Sequence, residues 1–322
     1  MSEGAHSVLI TGASGYIGSA LVAVLAEDPG NLRRIVALDI REVPNEARRD
    51  GVQYVTGDIR DRSIEKYVSE NEVDTVVHLA AIVSPGKGDT RKFEYSVDVL
   101  GTRNILEICA EHGVRQLIVT SSGAAYGYYA DNPESIREDD ALRGNESFAY
   151  SDHKRQVEEM LAEYREQHPE LQQLIFRPGT ILGEHVGNQI TAIFEKPVVL
   201  GVAGSATPFV FIWDRDVVAC LVKGIREQRS GIYNLAGDGA MPLAEIARVM
   251  GKPYVAAPAW LLRAALSILK PLGLSQYGPE QVDFLRYRPV LSNEALKRDF
   301  GYEPERSTRE VFDYYWQHQS DA

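Results

Sequence analysis

Apolar residues are distributed along this chain in two alternating patterns. Short continuous runs rich in β-branched residues, such as Val8-Leu9-Ile10, Ile35-Val36-Ala37-Leu38 and Thr75-Val76-Val77-His78-Leu79, mark strands covered on both faces. Between them, apolar positions recur at helical spacing, as in Ala20-Leu21-Val22-Ala23-Val24-Leu25. The same patterns predict strands over 52–55, 116–120 and 174–176, and long helices over about 94–111 and 147–167. Strands alternating with helices pair in parallel through right-handed crossovers, which gives an α/β fold built on a doubly wound sheet.

The alternation loosens after Arg177-Pro178, and Gly and Pro become frequent through Pro208. The chain is expected to leave the main sheet there and to return for a helix over 213–226 and a strand over 232–235. It is then expected to end in a helical segment with proline breaks. The expected organisation is a first domain over 1–182, rejoined by 213–237, and a smaller, mainly substrate-binding lobe over 183–322. Ligands of such sheets bind outside the carboxyl ends of the strands, so the expected site is a cleft between lobes.

Composition narrows the function. With 322 residues, 44% hydrophobic and 25% charged, the chain can bury a sizeable core. A net charge of −12 argues against a nucleic-acid partner, which would require a basic face. The longest apolar stretch, Trp260 to Leu274, is broken by Arg263, Lys270 and Pro271 and is too short to span a bilayer. Its helical spacing reads as core of the smaller lobe. No leader pattern precedes the first strand, so a cytoplasmic protein without a membrane partner is expected. Cys109 and Cys220 lie in apolar helical patterns and read as buried thiols, and no Cys/His cluster has metal spacing.

Between the first strand and first helix stands Thr11-Gly12-Ala13-Ser14-Gly15-Tyr16-Ile17-Gly18. Gly12, Gly15 and Gly18 give a tight turn, close approach of backbone to a pyrophosphate, and close packing of helix on strand. The helix N-terminus adds N–H groups and positive dipole for the phosphates. Asp39 ends the second strand, 21 positions after Gly18, where an acid accepts the ribose hydroxyls and repels a 2′-phosphate. This Rossmann-type pattern calls for a dinucleotide, NAD in preference to NADP. Arg41 is the competing signal, because a guanidinium accommodates that phosphate.

Tyr150-Ser151-Asp152-His153-Lys154 opens the helix after the fifth strand. Tyr150 and Lys154, four residues apart, share a helix face. A nearby ammonium favours phenolate and makes a tyrosine a usable base near neutral pH. Ser121 and Ser122 follow the fifth strand at the sheet's carboxyl edge, where Ser122 can orient a substrate oxygen or simply cap a turn.

Together these motifs resemble the extended short-chain dehydrogenases/reductases grouped as the NAD-dependent epimerase/dehydratase family, over nearly the whole chain. The resemblance implies that Gly12, Ser14, Gly15, Tyr16, Ile17 and Gly18 hold the cofactor, with Asp39 and Arg41 at its ribose. It implies that Asp58 and Ile59 contact adenine and that Leu79, Ala80 and Ala81 line the cofactor. Ser122 becomes the catalytic hydroxyl, Tyr150 the base, Lys154 its partner and a ligand of the nicotinamide ribose, and Arg177 a residue passing the nicotinamide. Asp214-Arg215-Asp216-Val217 falls where the family has a stretch that helps close the lobes. The helices over 94–111 and 147–167 resemble those that pair members into homodimers.

Two departures stand out. Asp98 replaces the family's usual Asn, and Ser205-Ala206-Thr207-Pro208-Phe209 lacks an Arg that nucleotide-sugar members carry for the substrate diphosphate. Arg263, Arg286 and Arg288 are the candidate substitutes. The resulting expectation is NAD-dependent hydride transfer on a small-molecule carbonyl or secondary alcohol. The alternative is a nucleotide-sugar epimerase or dehydratase that keeps its NAD bound. A third reading, a non-catalytic dinucleotide sensor, has no use for the Ser122, Tyr150 and Lys154 set.

Overall fold

The computed structural model describes residues 6–83, 90–187, 190–273 and 278–320. The predicted strands form one seven-stranded sheet. Its strands are β1 (His6–Thr11), β2 (Leu32–Asp39), β3 (Val52–Thr56), β4 (Thr75–His78), β5 (Gln116–Thr120), β6 (Gln172–Pro178) and β7 (Gly231–Leu235). Their spatial order is β7-β6-β5-β4-β1-β2-β3. From β3 through β6 the neighbours pair in parallel, as continuous apolar runs require. The order reverses at β1, with β2 on one side and β4 on the other, and this places a crevice at their carboxyl ends.

The chain forms two compact units that alternate along the sequence. The first comprises Met1–Ser122, His153–Arg177 and Asp214–Tyr233. Its core stacks Leu9, Val36, Val76, Leu117 and Ile175 of the sheet with helical residues such as Leu106 and Leu161. The helices that matter for the site are α1 (Tyr16–Glu27), α2 (Thr102–Glu111), α3 (Ala149–Gln167) and α4 (Asp214–Arg226). The helix expected over 94–111 is divided. A turn over Arg91–Tyr95 leads into a π-helical segment, Ser96–Gly101, before α2 begins. Cys109 and Cys220 are buried free thiols, as their sequence setting implied.

The second unit comprises Gly123–Asp152, Pro178–Trp213 and Asn234–Ala322. Short strand pairs, Thr180–Leu182 with Phe211–Trp213 and Val199–Val202 with Tyr254–Ala257, join helices around an aromatic core. In that core the ring of Phe194 lies 5.4 Å from Phe312 and that of Phe209 lies 5.8 Å from Phe211. The expectation that the Trp260 helix forms core is corrected. No residue of α5 (Ala259–Leu269) is buried, and Trp260 is 70% exposed. One side of the helix, at Leu262, Ala265, Leu266 and Leu269, is half-buried, whereas Trp260, Leu261 and Ile268 stand in solvent. At its surface Arg263 bonds Asp283 at 2.6 Å and Lys270 bonds Glu280 at 3.0 Å. Among the described residues, no helix is long and apolar enough to cross a membrane.

Candidate active site

The glycine turn joins β1 to α1 at the reversal of strand order. Gly12 adopts a left-handed φ of +68°, and a Cβ there would stand 2.7 Å from the backbone N of Ala80. A Cβ on Gly18 would meet the Gly12 carbonyl oxygen at 2.1 Å. The helix therefore rests directly on the turn, which brings its unsatisfied first N–H groups to the sheet's carboxyl edge. Ser14 Oγ is buried there without a hydrogen-bond partner among the described residues. Tyr16 and Ile17 begin α1, and the Tyr16 hydroxyl donates to Asp214 at 2.6 Å.

Asp39 is fixed by the turn it serves. One carboxylate oxygen accepts the Ser14 N–H at 2.9 Å, and the other accepts the Arg41 N–H at 3.0 Å. The Asp39 side chain is only 8% exposed, whereas that of Arg41 is 65% exposed and bonds the carboxylate at 3.3 Å. The two competing signals thus stand side by side as an ion pair, with the acid buried at the turn and the guanidinium mostly in solvent. A recess beside them is lined by Val43, Arg48, Tyr54 and Thr56. Asp58 is clamped by Arg60 at 2.5 Å, and that hydrogen bond holds its carboxyl below the usual carboxylate range. Ile59 is buried behind it. Leu79, Ala80 and Ala81 leave β4 half-buried. The Leu79 N–H donates to the Thr11 carbonyl at 3.2 Å and the Ala80 N–H to Thr11 Oγ1 at 3.4 Å.

A polar chain that the sequence did not reveal runs behind this edge. Thr102 Oγ1 donates to the Asp98 carbonyl at 2.6 Å. His78 Nε2 must then donate to Thr102 in their 3.0 Å bond, and Nδ1 accepts from Thr11 at 2.8 Å. That pattern uses a neutral imidazole. Burial, together with the Lys154 charge, pushes His78 down to about 3. Helical periodicity could place Thr102 and Asp98 in a helix but could not pair them with a strand histidine.

Ser121 and Ser122 follow β5, both buried, with the Ser121 N–H donating to the Phe176 carbonyl at 2.7 Å. Tyr150 lies in the first turn of α3, half-buried, its ring 6.2 Å from that of Phe148. Lys154, one turn on, is 6% exposed and donates from Nζ to the Thr120 carbonyl at 3.2 Å. Arg177, expected beside a nicotinamide, is buried and bidentate on Glu158, with Nε at 2.8 Å and Nη2 at 3.0 Å. Tyr150, Lys154 and Glu158 thus follow one another at four-residue spacing along α3.

Beyond Ser122, Tyr126 is fully buried and donates to Asn234 at 2.9 Å, and the Tyr129 hydroxyl donates to the Gly144 carbonyl at 2.6 Å, so both serve packing. Tyr128 joins Phe148 and Phe284 in an aromatic cluster, with ring distances of 5.9 and 5.0 Å. Burial pushes its phenol up, and Arg288 opposes that shift. Arg263 is committed to Asp283. Arg288 lies over the Phe209 ring at 4.0 Å and reaches Thr180 at 3.3 Å, and its Nε has no hydrogen-bond partner among the described residues.

Comparison with known proteins gives a concordant result. The family model described as NAD dependent epimerase/dehydratase matches residues 8–236. An uncharacterized protein of Mycobacterium tuberculosis is 26% identical over 313 residues, spanning 96% of this chain and 83% of its own length. A UDP-glucose 4-epimerase of Erwinia amylovora is 31% identical over 194 residues, spanning 57% of this chain and 56% of the relative. Two similar solved folds are a Thermus thermophilus UDP-glucose 4-epimerase complex with NAD and a Bacillus anthracis dTDP-glucose 4,6-dehydratase in complex with NAD. The first has a TM-score of 0.72 at 23% identity over 98% of this chain and 99% of that one. The second has a TM-score of 0.74 at 17% identity over 98% and 97%.

Proposed function

Because this chain belongs to the NAD dependent epimerase/dehydratase family of enzymes, we propose that it takes hydride from a secondary alcohol, or returns it to a ketone, with Tyr150 as the acid/base. The observation that carries this is Lys154, a buried lysine anchored to the end of β5 one helical turn from Tyr150. A surface Y-x-x-x-K would leave both side chains in water. The glycine turn, where a Cβ at Gly12 or Gly18 finds no room, and the orphaned Ser14 hydroxyl suit a pyrophosphate, and Asp39 suits an unphosphorylated ribose. Gly12, Ser14, Gly15, Tyr16, Ile17, Gly18 and Asp39 would hold NAD, with Asp58, Ile59 and Leu79 to Ala81 along its length. When bound, NAD supplies a hydride acceptor at its nicotinamide ring.

The chain's own residues handle the proton. Ser122 donates a hydrogen bond to the substrate oxygen and orients it. Tyr150, as phenolate, takes the hydroxyl proton while the carbon–hydrogen bond breaks and the carbonyl forms. Lys154 stabilises the phenolate through its positive charge, and when hydride returns to the ketone Tyr150 gives the proton back to the substrate oxygen and is again a phenolate. Tyr150→Phe is expected to lower turnover by about 10²–10⁴-fold while NAD affinity stays near wild type. Normal turnover in that variant would remove Tyr150 from the role.

One observation favours a nucleotide-sugar substrate. Arg288 occupies the ring face of Phe209, in the segment that lacks the expected Arg, and its charge lowers the phenol of Tyr128, a member of the aromatic cluster that reaches Tyr150 through Phe148. A guanidinium there suits a diphosphate. Supplying NADH with a simple ketone, and separately UDP- and dTDP-sugars, separates the cases. Net NADH loss marks a reductase, and sugar conversion without net NADH change marks an epimerase or dehydratase. The same proposal holds the enzyme to be a cytoplasmic homodimer paired through its helices over 94–111 and 147–167. Leu100, 42% exposed in the first of these, gives that face an apolar contact, and sedimentation at micromolar concentration tests it.

A further inference from the structure

Asp98 joins three elements of the first unit. It lies buried in the π-helical segment. Its Oδ1 accepts the Ile82 N–H at 2.8 Å, just past the 79–81 stretch that leaves β4. Its Oδ2 stands 3.6 Å from Nδ1 of His153, which lies on α3 between Tyr150 and Lys154. Both side chains are 1% exposed, and the His153 ring meets the Tyr95 ring edge at 5.6 Å. That Nδ1 has no hydrogen-bond partner among the described residues. The separation is longer than a hydrogen bond, but between two dry groups it is short enough for the carboxylate's field to decide where a proton sits. A bare Nδ1 would aim its lone pair at a carboxylate oxygen, whereas Nδ1–H aims a positive hydrogen there.

We infer that His153 carries a proton on Nδ1, facing Asp98, and that the two are positioning residues that set the 79–82 stretch against the helix bearing Tyr150. One carboxylate then serves two N–H groups, that of Ile82 on the β4 side and that of the imidazole on the α3 side. An Asn at position 98, the residue of the resembled family, would act in the opposite sense. Its one carbonyl oxygen is claimed by the Ile82 N–H, so its amide would turn an N–H toward His153 and call for a bare Nδ1. The aspartate therefore reverses the polarity of the contact between the π segment and α3. The inference rests on the proposed NAD site and on Tyr150 only for its effect on binding and turnover, because the tautomer belongs to the protein alone.

Nitrogen-15 NMR of the imidazoles, in the protein without cofactor, reads the tautomer directly, and His153 is assigned by the signals lost in His153→Phe. Wild type is expected to carry hydrogen on Nδ1, and Asp98→Asn to carry it on Nε2 alone. A bare Nδ1 in wild type, or the same tautomer in both proteins, overturns the inference. The positioning role is read from NAD affinity. His153→Phe keeps a ring against Tyr95 but leaves the carboxylate facing an apolar edge, which loosens its hold on Ile82 and should weaken NAD binding by about tenfold. Adding Asp98→Asn should recover most of that loss, because a neutral amide tolerates an apolar neighbour better than a carboxylate does. No recovery in the double variant overturns the positioning role. The expected tautomers together with normal turnover in Tyr150→Phe would support the Asp98–His153 pair and overturn Tyr150 as base.

Discussion

The neutral imidazole of His78 leaves a signature in acid. In the unfolded chain it takes up a proton near pH 6.5, whereas its native setting delays that step to about 3. Between those values the unfolded state binds one more proton, so stability falls as pH falls, by about 1.4 kcal/mol per pH unit from this group. Above the unfolded value its contribution is complete. His78→Gln should flatten the slope of urea-unfolding stability between about pH 6 and pH 4, and an unchanged slope would assign the acid sensitivity elsewhere. Asp39 makes a second residue-scale prediction. Asp39→Ala removes a buried carboxylate that accepts the Ser14 N–H, so NAD binding should weaken and discrimination against NADP should relax. Wild-type preference for NADP in a titration would reverse that assignment. The placement of Gly12 in the turn, Asp39 at the end of β2 and Tyr150 at the head of α3 was legible in the sequence because local spacing dictates it. The contacts of Asp98 with His153 and of His78 with Thr102 were not, since they join residues far apart in the chain through side-chain directions that no periodicity encodes.

At the scale of the element, α3 works as a ruler. Tyr150, Lys154 and Glu158 occupy one stripe, and Glu158 ties that stripe to β6 through a bidentate, nearly dry bond to Arg177. Glu158→Ala would remove the carboxylate that holds the buried guanidinium at two points and is expected to cost up to about 3–5 kcal/mol, read as a lowered unfolding midpoint. A much smaller loss would mean that Glu158 is not what holds the guanidinium in place. The strands and the principal helices followed from their apolar periods. Two features did not. The π-helical segment keeps the same hydrophobic face as an α-helix, so the pattern hides it, and such segments gather at functional sites. The helix α5 was read as core because hydrophobic spacing reports amphipathicity without saying how deeply a face is covered, and here its apolar side is covered only in part.

For the molecule as a whole, a cofactor held by β1, β2, β4 and α1 binds only the folded state. NAD at 100 times its Kd should raise unfolding stability by about 2.7 kcal/mol, seen as an upward shift in Tm, with a smaller shift from NADP at equal concentration. Equal shifts would indicate that the site does not read the ribose. The fold class was legible because alternating strands and helices admit few arrangements. The chain's division into units was harder to read, because Gly123–Asp152 joins the second unit without any break in composition.

The late position of β7 has a consequence for how the protein is made. A ribosome delivers β1 through β6 in order, but the strand that closes the sheet beside β6 emerges only with Gly231–Leu235. Until then β6 is an open edge, able to recruit another nascent chain. Shortened versions ending near Arg177 would preserve every cofactor residue named above and still carry that exposed edge. Insolubility in such fragments would reflect a missing strand and would not count against the nucleotide site.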